Sequence, residues 1–342
     1  MALCRVYLLT YRRNQLLQRA LNSLLQQTFK DWVCEIHNDD PNDFFPKQLV
    51  ENVSDNRLIL ISHPENLGAV KSFNLIFKEV SEPFISLLED DNWWEPNFLE
   101  TMIEAMHHYP NVQIAWSNMR IWQELPEGGW EDTGENIWNY QKNVDFKLFD
   151  WGQQQQIMGA LHSNGSSIVR SHNASNYIVP DETEFAAIEP VRERAFLYPI
   201  LLVTKVCANF AVTLQTSRQE NRIAWSQMQV LLAASYFKNF TFEAEKAKKA
   251  WLEARSKKAK STSVLFFVVL NCPDCLWILK YATLPDWLFF IAHSIKRPFL
   301  AIESAKAIKS YPLLWSFLDR QTALRLKETQ MKIVIDTDEC LE

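Results

Sequence analysis

The sequence predicts an α/β protein, a mostly parallel sheet flanked by helices, with a mainly helical C-terminal extension. Three observations predict it. Strand-like and helix-like runs alternate through the first 120 residues, the pattern of parallel strands joined by right-handed crossovers. Polar clusters fall where three of those strands end, at Thr10-Tyr11-Arg12-Arg13, Asn38-Asp39-Asp40 and Glu89-Asp90-Asp91. In such sheets ligands bind beyond the carboxyl ends of strands. Past about Thr216 the pattern becomes helical. Residues 1–215 are therefore expected to form the α/β domain, in halves 1–120 and 121–215, and residues 216–342 the helical region.

The elements follow in order. Arg5 to Leu9 is a β-rich run, and Asn14 to Gln26 carries Leu16, Leu17, Ala20, Leu21, Leu24 and Leu25 on one helical face. Trp32 to Ile36, Arg57 to Ile61 and Pro83 to Leu88 read as strands, with a helix over about Ala69 to Val80. Pro96 suits the first turn of a helix that continues through Phe98, Leu99, Met102, Ile103 and Met106. Val112 to Trp116 is a fifth strand. Ile121 to Gln156, rich in Trp, Gly, Asn and Gln, reads as an irregular loop covering the sheet edge. Ser163 to Arg170 gives a turn and a strand, Ala187 to Phe196 a helix, and Ile200 to Val203 another strand. Ala244 to Lys260 is strongly basic, and Leu284 to Lys309 mixes aromatic and apolar residues at helical spacing.

A net charge of −6 excludes a general nucleic-acid binder, which would show a basic surplus. No apolar run approaches the roughly 20 residues that span a bilayer; the longest uncharged one is Val264 to Leu270. No charged-then-apolar leader is visible, and four of the six cysteines are scattered. A cytoplasmic protein with reduced thiols is expected. Cys272-Pro-Asp-Cys275 has the spacing of half a zinc site, with no second pair or His cluster to complete it.

The stretch 84-FISLLEDDNWWEPNF-98 carries the functional signal. An apolar strand breaks into three consecutive carboxylates, which repel one another and cost desolvation if half-buried. The neighbouring sequence offers little Lys or Arg, so a divalent cation such as Mn²⁺ or Mg²⁺ is expected there, bound through oxygen. Acids at a helix N-terminus, favoured by its dipole, are the other reading of such a triplet. Two further polar clusters on the same predicted edge favour the ligand site.

These motifs together resemble the nucleotide-sugar-binding half of the family 2 glycosyltransferases, which have the GT-A fold. Arg5 to Arg13 (RVYLLTYRR) resembles the opening strand and nucleoside-contacting turn, and Leu21 to Phe29 (LNSLLQQTF) with Asp31-Trp32 the first-helix signature. Asn38-Asp39-Asp40 stands where the family contacts base and ribose. Asn66-Leu67-Gly68 with Asn74 resembles its Asn-x-Gly turn and helix. Glu89-Asp90-Asp91, Trp94 and Pro96 match its metal-binding Asp-x-Asp motif and Trp-x-Pro tail. Asn164-Gly165-Ser166 to Arg170 resembles the acceptor-side strand.

The resemblance implies an inverting, metal-assisted transfer of a sugar from a nucleoside diphosphate donor, UDP-type favoured, to a hydroxyl of a glycan or lipid-linked acceptor. It implies a metal on Asp91 with Glu89, and nucleotide-sugar contacts from Thr10, Tyr11, Arg12, Asp39, Asp40, Asn66, Gly68, Lys71, Glu89 and Asp90. Glu89 replaces the usual first Asp, and Lys71 stands where Arg is frequent. No Glu-Asp pair of the kind that supplies the family's general base follows the acceptor-side strand; Glu189 is the preferred substitute, with Asp181 and Glu184 as alternates. Trp93 and Trp94 read either as a sugar platform or as packing, and His162 as an acceptor-site or a core residue. A nucleotidyltransferase would need a Gly-rich phosphate loop, and Thr10 to Gln15 has no glycine. A non-catalytic nucleotide-sugar-binding or interaction protein of the same fold is the remaining alternative.

Lys246, Lys248, Lys249, Arg255, Lys257, Lys258 and Lys260 form either a solvated helix face or a contact for an anionic membrane. An amphipathic stripe of Trp287, Leu288, Ile291 and Ile295 would aid the latter. Peripheral contact at the inner face of the membrane would suit a lipid-linked acceptor.

Overall fold

The computed structural model describes residues 2–139, 144–151, 157–214, 221–239, 244–257 and 259–339. The chain divides into two compact units. The first comprises residues 1–150, 162–178 and 196–217, and the second 151–161, 179–195 and 218–342.

In the first unit β1 (Cys4–Thr10), α1 (Asn14–Leu25), β2 (Trp32–Asn38), α2 (Phe45–Val53), β3 (Leu58–Ser62), α3 (Ala69–Asn74) and β4 (Phe84–Glu89) alternate as expected. The short β5 (Trp93–Trp94) and α4 (Phe98–His108) follow, then β6 (Ile114–Glu124), β7 (Trp130–Asn136), β8 (Phe146–Phe149), β9 (Ser167–Arg170) and β10 (Ile200–Val212). The strand order is β3-β2-β1-β4-β9-β6-β10-β5, with β7 on β6 and β8 on β10. Strands β3, β2, β1 and β4 are parallel, and β10 is parallel to β6. The other pairings are antiparallel, so the sheet as a whole is mixed.

The apolar spacing of α1 explains its seat. Leu17, Ala20, Leu21 and Leu24 recur every three or four residues and are fully buried in one core with Val6, Leu8, Trp32, Ile36 and Leu99. Each such leucine contributes about 1.5–3 kcal/mol by leaving water. A carboxylate at Leu21 would be buried without a partner and would break this seat.

Several boundaries differ from expectation. Helix α3 ends at Asn74 rather than Val80, because the next residues serve tertiary contacts: Phe77 meets Tyr177 edge-on, and Lys78 pairs with Glu35 at 3.3 Å. The stretch from Ile121 is no irregular loop. Strand β6 runs on to Glu124 and turns back through β7, with Gly128 and Gly129 at φ +93° and +89° supplying the left-handed turn. Residues 140–143 and 152–156 of that stretch lie outside the described residues. Strand β10 has 13 residues instead of the expected four, since β6, β8 and β5 all pair with it.

The second unit holds α5 (Ile188–Glu193) and the helices α6 (Arg222–Asn239), α7 (Ala244–Lys257), α8 (Ala259–Asn271), α9 (Leu284–Lys296), α10 (Pro298–Ser304), α11 (Ala307–Ser310) and α12 (Pro312–Glu339). Helix α6 is buried on nearly all sides, as its apolar sequence dictates. Trp251 of α7 donates through Nε1 to the Ile278 carbonyl at 2.9 Å, fixing α7 on the 3₁₀ turn Pro273–Tyr281. In the expected basic run Lys248 and Lys249 are exposed on α7, Arg255 pairs with Asp286 at 2.6 Å, and Lys258 lies outside the described residues. Cys272 and Cys275 are free, buried thiols, and among the described residues no group of three or more His, Cys, Asp or Glu is placed to hold a metal.

Candidate active site

The carboxyl ends of β2, β1 and β4 lie side by side. Thr10 is in register with Asn38, the Asp39 N–H donates to the Thr10 carbonyl at 3.0 Å, and the Asp90 N–H to the Leu9 carbonyl at 3.2 Å. From β1 the chain passes first to β2 on one side and only later to β4 on the other. The reversal makes a crevice between β1 and β4, the place where open α/β sheets bind ligands.

Each expected residue can now be placed. Asp90 is buried, and its Oδ2 accepts from Thr10 Oγ1 at 2.9 Å and from the Tyr11 N–H at 3.2 Å. Burial pushes its carboxyl up to about 7, against the pull of Arg13. Asp91 Oδ2 accepts from Arg13 Nη1 at 2.7 Å, and Arg13 also reaches Asp90 Oδ1 at 3.5 Å. Glu89 Oε2 accepts from Asn92 Nδ2 at 2.8 Å. Arg12, at φ +56°, turns its Nε onto Asp40 Oδ2 at 2.6 Å, which holds the Asp40 carboxyl below its ordinary range. Tyr11 is 38% exposed beside it and available for stacking.

Asp39 faces the chain itself. Its Oδ1 accepts from the Leu67 N–H at 2.7 Å and its Oδ2 from Ser72 Oγ at 3.1 Å, so it ties the Asn66-Leu67-Gly68 turn to β2. Asn66 Oδ1 accepts from the Gly68 N–H at 2.7 Å, and Gly68 takes φ +77° to enter α3, a conformation that favours glycine. Lys71 is exposed on α3.

The expectation that the acids lack basic neighbours is corrected. Arg13 and Arg19 of the α1 segment both reach the turn, brought there by the β1–β4 pairing across some 75 residues of sequence. Arg19 Nη2 donates to the Asp91 main-chain carbonyl at 2.7 Å. Its guanidinium lies between two indoles, 3.9 Å over Trp93 and 4.1 Å over Trp130. Burial lowers its pKa to about 10, with Asp91 and Glu124 working the other way. Trp130 sits in the stretch expected to be irregular, so this clamp was not visible in the sequence. The available signal was Arg13 and Arg19 flanking the first turns of a helix that starts at the same sheet edge.

The first-helix signature holds the tail of the acidic turn. Ser23 Oγ accepts from the Trp94 N–H at 3.1 Å, Gln27 Nε2 donates to the Glu95 carbonyl at 2.8 Å, and the Thr28 N–H donates to the Pro96 carbonyl at 2.7 Å. Gln27 Oε1 also accepts from the Leu99 N–H at 2.9 Å, satisfying a donor at the start of α4. Trp94 is buried, stacks on Phe98 at 4.1 Å and donates to the Gly165 carbonyl at 2.9 Å, which makes it a packing residue. Gly165 comes so close that an added Cβ would lie 2.4 Å from Asn92 Nδ2 and 2.6 Å from Glu89 Oε2. His162 is buried edge-on against Phe196.

Asp181, Glu184 and Glu189 belong to the second unit. Asp181 is exposed, Glu184 faces the Tyr311 hydroxyl at 3.5 Å, and Glu189 lies in the first turn of α5 beside the buried Arg192.

Residues 6–156 match the family model described as Glycosyl transferase family 2. Over 112 residues the chain is 29% identical to the Escherichia coli UDP-Glc:alpha-D-GlcNAc-diphosphoundecaprenol beta-1,3-glucosyltransferase WfgD, covering 33% of this chain and 44% of that protein. Over 179 residues it is 23% identical to Protein CgeD of Bacillus subtilis, covering 50% and 41%. The chain thus spans under half the length of these curated relatives. The crystal structure of S. aureus TarS 1–349 in complex with UDP shares the fold, with a TM-score of 0.57, 14% identity and 91% of each chain covered.

Proposed function

We propose that the protein is a glycosyltransferase of family 2 type, transferring a sugar from a nucleoside diphosphate donor to an acceptor hydroxyl with inversion, a reading supported by the family-model match over residues 6–156 and by the fold shared with TarS. The observation that carries the proposal is the acidic turn Glu89–Asp91, joined to the Thr10–Arg13 turn at the β1–β4 crevice. A UDP-type donor is favoured: WfgD is named for UDP-Glc, and TarS was solved with UDP and with UDP-GlcNAc. A glycan or lipid-linked hydroxyl is the proposed acceptor, on the model of the diphosphoundecaprenol-linked substrate in the WfgD name.

Asp91 is the proposed ligand of a divalent cation. Its Oδ2 is held by Arg13, while Oδ1 accepts no hydrogen bond among the described residues. One carboxylate oxygen with donor phosphates and water suits Mn²⁺ or Mg²⁺. When bound, the cation would offset negative charge on the departing diphosphate. The chain's own groups do the rest. Thr10 and the Tyr11 N–H fix Asp90, and through it the turn. Tyr11 offers a ring to the base. Arg13 sets a guanidinium against the same carboxylate, adding positive charge where the leaving group departs. Glu189 is the proposed general base, with Asp181 and Glu184 as alternates.

A thermal-shift screen of UDP-, GDP-, CDP- and dTDP-sugars, with and without Mn²⁺, tests the donor reading. Stabilisation by one nucleotide class, enlarged by Mn²⁺, is expected. No shift with any donor would overturn it. Glu189→Gln should abolish turnover while leaving the donor shift intact; full turnover would remove Glu189 from the role.

A further inference from the structure

Helices α9 and α10 carry an outward apolar face. Leu284, Trp287, Leu288, Ile291, Ile295, Phe299 and Ile302 are each between 40% and 75% exposed. Leu284, Leu288, Ile291 and Ile295 follow one another at i, i+4, i+7 and i+11, a single stripe on α9. Exposed apolar residues are normally scattered, and seven within 19 residues form a patch that a soluble surface does not need.

The stripe is not the loose side of a frayed helix. The other side of α9 is fixed by Phe290, stacked on Phe266 at 4.5 Å and edge-on to Phe267 at 5.3 Å. Thr283 and Asp286 form a capping box at its start, and Asp286 also pairs with Arg255. Helix α9 is therefore apolar on two sides, one used in packing and one left over. Trp287 bridges them, its ring against Phe266 at 4.6 Å and its surface partly open, as interfacial tryptophans are.

The charge around the patch selects its partner. Lys280, Lys296, Lys306 and Lys309 are exposed within and just outside the segment that carries it. Of the three acids between residues 274 and 310, Asp274 is exposed, Asp286 is buried in its ion pair and Glu303 is half-buried. A protein partner with an apolar face would not require an excess of exposed lysine on its flanks, four against one exposed acid; an anionic lipid surface would. No helix among the described residues is long and apolar enough to cross a membrane, so the helices would lie on the surface rather than span it.

We propose that α9 and α10 form a docking surface for an anionic bilayer, the apolar stripe entering the headgroup–acyl boundary and the lysines meeting lipid phosphates. The sequence pointed to the basic α7 as the leading contact, with the α9 stripe in support; the structure reverses that order, because the exposed apolar area lies on α9 and α10. The inference stands on this face alone and does not depend on the transferase reading.

Vesicle flotation of the full chain tests it, with phosphatidylcholine vesicles and with vesicles that also contain phosphatidylglycerol. Binding to the anionic vesicles is expected to exceed binding to the neutral ones at least tenfold. The double variant Leu288→Gln/Ile295→Gln alters two exposed side chains, so its circular dichroism and melting should match the parent, while flotation falls at least tenfold. Lys306→Glu/Lys309→Glu should erase the preference for anionic lipid. Absence of flotation with both vesicle types would overturn the proposal, as would flotation unchanged in the double variant. A parent that sediments as a dimer and becomes monomeric in the double variant, without lipid binding in either, would assign the face to a second copy instead.

Discussion

Replacing Gly165 by alanine would drive a methyl carbon into the acidic turn. The new Cβ would stand 2.4 Å from Asn92 Nδ2 and 2.6 Å from Glu89 Oε2, each about 1 Å inside ordinary contact. Both are ends of side chains, so the backbone can stay and the pair must part. Asn92 has little room, being 1% exposed and accepting from the Ala211 N–H at 3.3 Å, so most of the movement falls on Glu89 and on their 2.8 Å hydrogen bond. Overpacking of this kind costs about 1–3 kcal/mol in stability. Displacing a group by about 1 Å at a reacting centre can cost on the order of a hundredfold in rate. The expected result is a variant that melts a few degrees lower, binds the nucleoside diphosphate product nearly as well, and turns over the donor roughly 10- to 100-fold more slowly. Donor-hydrolysis or transfer kinetics beside a calorimetric melt would read both effects. Wild-type kcat/KM in a folded Gly165→Ala protein would refute the claim that this glycine exists to admit the Glu89–Asn92 pair.

Three further outcomes are expected. Asp91→Asn should abolish the Mn²⁺-dependent part of donor binding, measured by titration calorimetry, and metal-dependent binding retained at full strength would sink the ligand assignment. Arg19→Gln should destabilise the first unit by about 3 kcal/mol in urea unfolding, from one charge-assisted hydrogen bond and two indole contacts; a loss below about 0.5 kcal/mol would show the clamp to be idle. Asp90 governs a pH effect: its carboxyl is raised from 3.8 to about 7 in the folded protein, so the fold holds a proton that the unfolded chain has released. Stability from this group therefore falls as pH rises from about 4 to about 7, by up to about 4 kcal/mol. Asp90→Asn should flatten that slope in apo-protein melts, and an unchanged slope would refute it.

The parallel half of the sheet was legible because buried strands and amphipathic helices write their periods into the sequence. Phe84 to Leu88 and the α1 stripe needed no tertiary knowledge. Helix α2 was missed: its start at Phe45-Pro46 follows a run of Asp, Asn and Pro that reads as loop. Strand β7 was illegible for a different reason. Trp130–Asn136 is almost wholly exposed and polar, and only pairing with β6 makes it a strand. At the site, the acidic triplet announced itself, while its counter-charges did not. Arg13 and Arg19 look like ordinary helix-surface cations until β1 and β4 are laid side by side. Asp39 has a structural task that the sequence did not announce, accepting from the Leu67 N–H and from Ser72. The general base left no pattern, because a single acid in a short helix carries no spacing to read.

Strand β9 sets a condition on how the first unit can be made. It is the neighbour of β4 on the side away from β1, and it also joins β4 to β6. A ribosome that has released only residues 1–120 has made the whole parallel set β3-β2-β1-β4, yet β4 has a bare hydrogen-bonding edge until residues 167–170 emerge. Such an edge, apolar and central, templates intermolecular pairing. Residues 1–120 are thus not a detachable module: expressed alone they should aggregate, and extending the fragment through Arg170 is the least that would give β4 its missing partner.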